Sequence, residues 1–80
     1  MYTLKMYNLD DLSFRKDRKT VTSIDAEIEY MTLCTPYDVT RMPELDYLGG
    51  VAYKQWNPAP STLNADDKGH GWIIVFAEVQ

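Results

Sequence analysis

The last nine residues, Trp72-Ile73-Ile74-Val75-Phe76-Ala77-Glu78-Val79-Gln80, restrict the fold more than any other part of the chain. Successive side chains of an extended strand point to opposite faces. Trp72, Ile74 and Phe76 therefore share one face, and Ile73, Val75, Ala77 and Val79 the other. A strand wet on one side alternates apolar with polar residues, so a run apolar in both registers reads as a strand covered on both faces. With 80 residues in all, there is little material for two covers. Either other segments fold back over the strand or a second chain does.

The length corresponds to a single domain, residues 1–80, of the size that buries a modest fraction of its surface. An apolar fraction of 45% is ordinary for a folded domain and argues against disorder. The longest unbroken apolar run, Trp72 to Ala77, is far short of the roughly 20 residues of a membrane helix. The start, Met1-Tyr2-Thr3-Leu4-Lys5, lacks a basic stretch followed by an apolar core, so no secretory signal is expected there. Cys34 is the only cysteine and favours a reducing, cytoplasmic setting, although a cleaved signal stays open.

Twelve acids against eight bases give a net charge of −4. Arg15, Lys16, Arg18 and Lys19 lie within five positions, and outside that run eleven acids face four bases. The expectation is an acidic body with one basic tip, a balance that disfavours direct nucleic-acid binding and favours basic partners.

Tyr2, Leu4 and Met6 alternate with Thr3 and Lys5, which predicts a half-buried strand over residues 1–8. Leu9, Leu12 and Phe14 fit neither template, and Arg15 to Lys19 reads as a solvated turn. Residues 20–33 carry two readings. A helix aligns Ile24, Ile28 and Met31, with Thr22 or Ser23 as cap. A strand turns Ile24, Ala26, Ile28 and Tyr30 inward and Ser23, Asp25, Glu27 and Glu29 outward. The strand template fits eight consecutive positions and is preferred. The helix stays open because Ala and Glu are poor strand formers.

Thr35-Pro36-Tyr37-Asp38 has the cap chemistry of a helix start, with Pro43 stopping or kinking that helix. Glu44 to Leu48 would add a turn, closed by Gly49-Gly50. Val51 to Trp56 reads as a third strand, and Asn57 begins a long Pro-, Asn-, Asp- and Gly-rich loop. The expected fold is α+β, a short helix on a four-stranded, mainly antiparallel sheet in the order ββαββ. The Thr35–Leu48 helix would cover one face of the final strand. Leu9, Leu12 and Phe14, or a second chain, would cover the other.

Catalytic chemistry finds little support. His70 near Asp66 and Asp67 supplies two ligand types but not a matched set, and a polar turn explains it equally. Cys34 with His70 would need an orienting group and an oxyanion site, and a lone cysteine is usually a small buried apolar residue. Gly49-Gly50 and Gly69-His70-Gly71 lack the spacing of a phosphate loop, so no cofactor is expected.

On the strand reading, Asp25, Glu27 and Glu29 form a stripe of carboxylates about 6.6–6.8 Å apart, twice the rise per residue. The stripe is either a solvated outer face or a match for a basic groove. Tyr37, Tyr47, Tyr53 and Trp56 gather around the predicted helix and third strand, as core or as binding anchors.

In size, charge and single-domain character the chain resembles the small acidic inhibitors encoded by phages and mobile elements, anti-CRISPR proteins among them. The resemblance covers no motif. It implies a non-enzymatic, protein-binding inhibitor of a host nucleic-acid-handling or defence complex. The Asp25, Glu27 and Glu29 face and the aromatic residues would meet a basic partner surface. A self-associating subunit, including a homodimer, remains open, as does a small metal- or ligand-dependent enzyme using His70 and Asp67.

Overall fold

A computed structural model of the chain describes residues 1–34, 37–57 and 70–79. Along the sequence run β1 (Tyr2–Asn8), β2 (Phe14–Val21), α1 (Ile24–Cys34), β3 (Asp38–Arg41), a 3₁₀ helix (Pro43–Leu48), β4 (Val51–Asn57) and β5 (His70–Glu78). The strands form one sheet in the order β2-β1-β5-β4-β3, with every neighbouring pair antiparallel. The doubly apolar segment is thus the central strand, held between β1 and β4. The final strand pairs antiparallel with the predicted third strand, Val51 to Trp56.

Both covers of β5 come from the same chain. On one face Leu4, Met6, Ile74 and Phe76 are buried with Val21, and Ile24, Ile28 and Met31 of α1 pack down on them. On the other face Ala52, Ile73 and Val75 are buried beneath Leu9 and Leu12 from the β1–β2 connection and Met42, Leu45 and Leu48 around the 3₁₀ helix. Phe14, expected to join them, stays exposed, edge-on to Tyr7 at 5.5 Å between centroids and with Lys5 Nζ 5.5 Å from its ring.

The α+β class stands, but the sheet has five strands rather than four and three assignments change. Residues 24–34 form a helix. Ser23 Oγ accepts from the Ala26 N–H at 3.2 Å, which caps it, and the Ile24, Ile28 and Met31 spacing supplies the inward face. The poor strand propensity of Ala and Glu carries more weight than the eight-position alternation.

Residues 15–19 belong to strand β2 rather than a turn. An edge strand exposed at every position but Val21 has no apolar alternation to read, and its charges discourage edge-to-edge pairing. Residues 38–41, expected within a helix, form β3, where Val39 and Thr40 suit the strand and pair with Gln55 and Lys54. Thr35 and Pro36, the proposed cap, lie outside the described residues, as do residues 58–69 of the long loop. Glu44 to Leu48 is helical as expected, but as a 3₁₀ helix with Pro43 in its first turn and Gly49 left-handed after it, at φ 118°.

One clasp holds that second cover in place. Arg41 donates to both carboxylate oxygens of Asp46, at 2.7 and 2.6 Å, and Asp46 Oδ1 also accepts from the Ala52 N–H at 3.0 Å. Arg41 further donates to the Ala52 carbonyl at 3.0 Å. These bonds tie β3, the 3₁₀ helix and β4 together. They hold the Asp46 carboxyl down at about 2, the Arg41 hydrogen bonds being the largest cause and the Ala52 N–H the next.

Burial on both faces predicts that Ile73→Ala and Ile74→Ala each destabilise the fold by about 2–5 kcal/mol in urea denaturation. A strand covered on one side would suffer from only one of them. The depressed Asp46 pKa means that its stabilising contribution is complete above its ordinary value of 3.8 and is lost as pH falls through about 2. Asp46→Asn is therefore expected to unfold at lower urea than the parent at pH 7. The gap should close between about pH 4 and pH 2.

Candidate functional site

Helix α1 turns about 100° per residue, so the three carboxylates cannot form one stripe. Asp25 and Glu29 share the outer face and are exposed, whereas Glu27 points back toward β2 and meets Lys19 Nζ at 2.6 Å. The correction follows directly from the change of period from two to 3.6. On a helical wheel Asp25, Glu29, Leu33, Ala26 and Tyr30 occupy one continuous arc of about 140°. Leu33 is 74% and Tyr30 54% exposed, so this acidic arc carries two large apolar side chains with no role in the core.

The four aromatic candidates separate. Tyr53 is half-buried on the α1 side, edge-on to Phe76 at 5.8 Å, with the Arg41 guanidinium 5.6 Å from its ring. Trp56 lies on the opposite face beneath Lys54, at 5.1 Å. It crosses Gly71, where a Cβ would come within 2.9 Å of its ring and 2.2 Å of the Gln55 carbonyl, so only glycine fits there. Tyr47 is 71% exposed on the 3₁₀ helix. Tyr37, half-buried just before β3, joins a cleft built from residues that the sequence reading left aside.

That cleft lies on the α1 side of the sheet and encloses about 320 Å³, lined by Met6, Arg15, Lys16, Arg18, Tyr37, Gln55 and Trp72. Its cations are brought together by irregular pairing of β1 with β2. The register runs Leu4–Lys19, Lys5–Asp17, Met6–Lys16 and Tyr7–Phe14, so it skips Arg18 and Arg15. In a regular strand Arg15 and Lys16 would point to opposite faces. Two bulges break the alternation, and all three bases reach one cleft. The Arg15 guanidinium lies 4.6 Å from the Trp72 ring centroid, a cation–π contact that pins both.

Gln55 occupies a core position on β4, opposite Trp72 and Val39, and is 2% exposed. Its Oε1 is buried without a hydrogen-bond partner among the described residues. A buried acceptor without a donor is a cost to folding.

Among the described residues no three His, Cys, Asp or Glu side chains gather as a metal site, and no helix is long and apolar enough to cross a membrane. Asp66 and Asp67 lie outside the described residues, and His70 opens β5. Cys34, expected to be buried, is exposed at the end of α1. The basic run was visible in the sequence. Its place in a cleft was not, because that depends on the bulges and on Gln55 facing it from three strands away.

No family model, curated protein or solved structure matches the chain.

Replacing Gln55 with Leu removes the unpartnered acceptor at similar volume. The variant is expected to be more stable than the parent by about 1–3 kcal/mol in urea denaturation.

Proposed function

We propose that the chain is a protein-binding module that works without catalysis of its own and docks through the outer face of α1. One observation carries this reading. Tyr30 and Leu33 stand exposed on the helix whose opposite side supplies the core, and Asp25 and Glu29 flank them on the same arc. Both faces of β5 are already covered within the chain, and neither side chain belongs to either cover; Tyr30 meets β2 through Lys19 Nζ, 5.7 Å from its ring. An arc with two apolar anchors and two carboxylates complements an apolar pocket rimmed by Lys or Arg.

The acidic balance of the chain supports the narrower reading that the partner's basic surface is one that holds nucleic acid. A protein seated there would exclude the nucleic acid. This is the activity that the resemblance to small acidic phage-encoded inhibitors implies. Tyr47 is a second exposed aromatic, but it stands alone on the 3₁₀ helix, without the carboxylates of the α1 arc.

The experiment is quantitative capture from the lysate of the native host, followed by titration of the purified captured protein. Tyr30→Ser/Leu33→Ser and Asp25→Lys/Glu29→Lys should each keep the parent's circular dichroism and weaken association about tenfold or more. Added salt should weaken the parent complex further. Equal affinity of both double variants and the parent would remove α1 as the docking face.

A further inference from the structure

We propose that two copies of the chain form a symmetric dimer, in which the outer arc of α1 on each copy seats over the β2–β4 cleft of the other. This pairing rests on the docking role of α1 proposed above and names a second copy as one partner of that face. The arc fits an apolar hollow rimmed by Lys or Arg, and the chain carries one. Met6, Tyr37 and Trp72 give the cleft its apolar lining, and Arg15, Lys16 and Arg18 give it positive charge. Asp25 and Glu29 bring the opposite charge, and Tyr30 and Leu33 the apolar projections.

Both patches look out from the same side of the sheet. No residue of α1 lines the cleft, so the helix stands raised beside a hollow that it leaves uncovered. The start of α1 lies with Tyr2 and Tyr53, whereas the cleft takes Met6, Gln55 and Trp72 from the other end of the same strands. A two-fold rotation about an axis in the plane of contact therefore sets each raised arc over the other copy's hollow, and both contacts form together. The pairing closes on itself and leaves neither patch free to extend a row of copies. At about 320 Å³ the hollow is at the lower end of the roughly 300–1,000 Å³ of ligand pockets, so it admits side chains rather than a helix. Tyr30 or Leu33 enters it, and the carboxylates meet the guanidinium and ammonium groups on its rim.

Each copy has a net charge of −4, so copies repel at long range and attract only where the patches meet. The dimer accordingly exchanges, and a foreign protein that takes the same arc displaces the second copy.

Sedimentation of the parent up to about 1 mM, which covers weak association, should show a concentration-dependent species of twice the 9.3 kDa chain mass. Asp25→Lys/Glu29→Lys and Lys16→Glu/Arg18→Glu, all at exposed positions, should each keep the parent's circular dichroism and dimerise about tenfold or more weakly alone. The first variant is neutral overall, so its loss reports the patch rather than the net charge. Mixed in equal amounts, the two should form a heterodimer, because the reversed arc of one meets the reversed cleft of the other. A monomeric parent, a variant that dimerises as the parent does, a mixture that stays monomeric, or growth beyond the dimer would each overturn the proposal. Lys16→Glu/Arg18→Glu retains the arc and should bind the protein captured from the host at least as tightly as the parent does. A monomeric parent beside α1-dependent capture removes the dimer alone. A charge-swapped heterodimer beside capture indifferent to α1 removes the foreign partner alone.

Discussion

Burial of β5 on both faces is the constraint from which the rest of the architecture follows. Ile73, Ile74, Val75 and Phe76 are all at most 1% exposed, so each face requires its own apolar layer. Placing β5 at the sheet centre satisfies its backbone through β1 and β4 and leaves the two faces to be covered by whatever lies between the strands. One cover is a regular capped helix. The other is assembled from the β1–β2 connection and a 3₁₀ helix. That second layer has little helical cooperativity of its own and relies on specific polar bonds. The Arg41–Asp46 clasp serves there. So does the β1–β2 turn, where Leu12 is held at φ 60° while Asn8, Asp11 and Ser13 bond across it.

The parts legible in the sequence were those whose burial leaves a period. β1, β4 and β5 carry strong apolar patterns, and the need for two covers followed from β5 alone. α1 was misassigned because Ser23 to Tyr30 satisfies a period of two by composition while also satisfying 3.6 at Ile24, Ile28 and Met31. Cap chemistry and propensity, rather than periodicity, separate those readings. β2 and β3 are edge strands, and edges are largely exposed, so the sheet can include them without any apolar alternation. Asp25 and Glu29 remained together through the change from strand to helix because a separation of four residues keeps one face in both geometries. Glu27, two residues from each, did not.

The basic run in β2 combines two requirements in one segment. An unpaired strand edge invites association with other chains, and charged side chains and bulges both oppose it. The same bulges turn Arg15 and Arg18 toward the side where Lys16 already points, which concentrates positive charge over Trp72 and Gln55. The net charge of the chain is therefore a poor guide to this surface. Long-range attraction follows the acidic body, but within a Debye length of about 8 Å at physiological salt the local cations dominate.

Departures from ordinary packing rules occur along the whole length of β5 and its neighbours. Gln55 takes a core position where an apolar residue would cost less, the β1–β2 ladder skips two residues, and Gly71, just ahead of the apolar run of β5, stands where Trp56 crosses the strand. Each departure weakens the fold locally: an unpartnered acceptor, lost ladder bonds, and a glycine in a strand interior. Toward the other end of β5, Leu4, Phe76 and Val51 form an ordinary core, but one of the two register shifts falls between Leu4 and Lys5, and at Gly50 a Cβ would come within 2.2 Å of the Phe76 carbonyl. The exception particular to the Gln55 end is thus the unpartnered acceptor itself, a polar group held in a dry setting at a cost to folding.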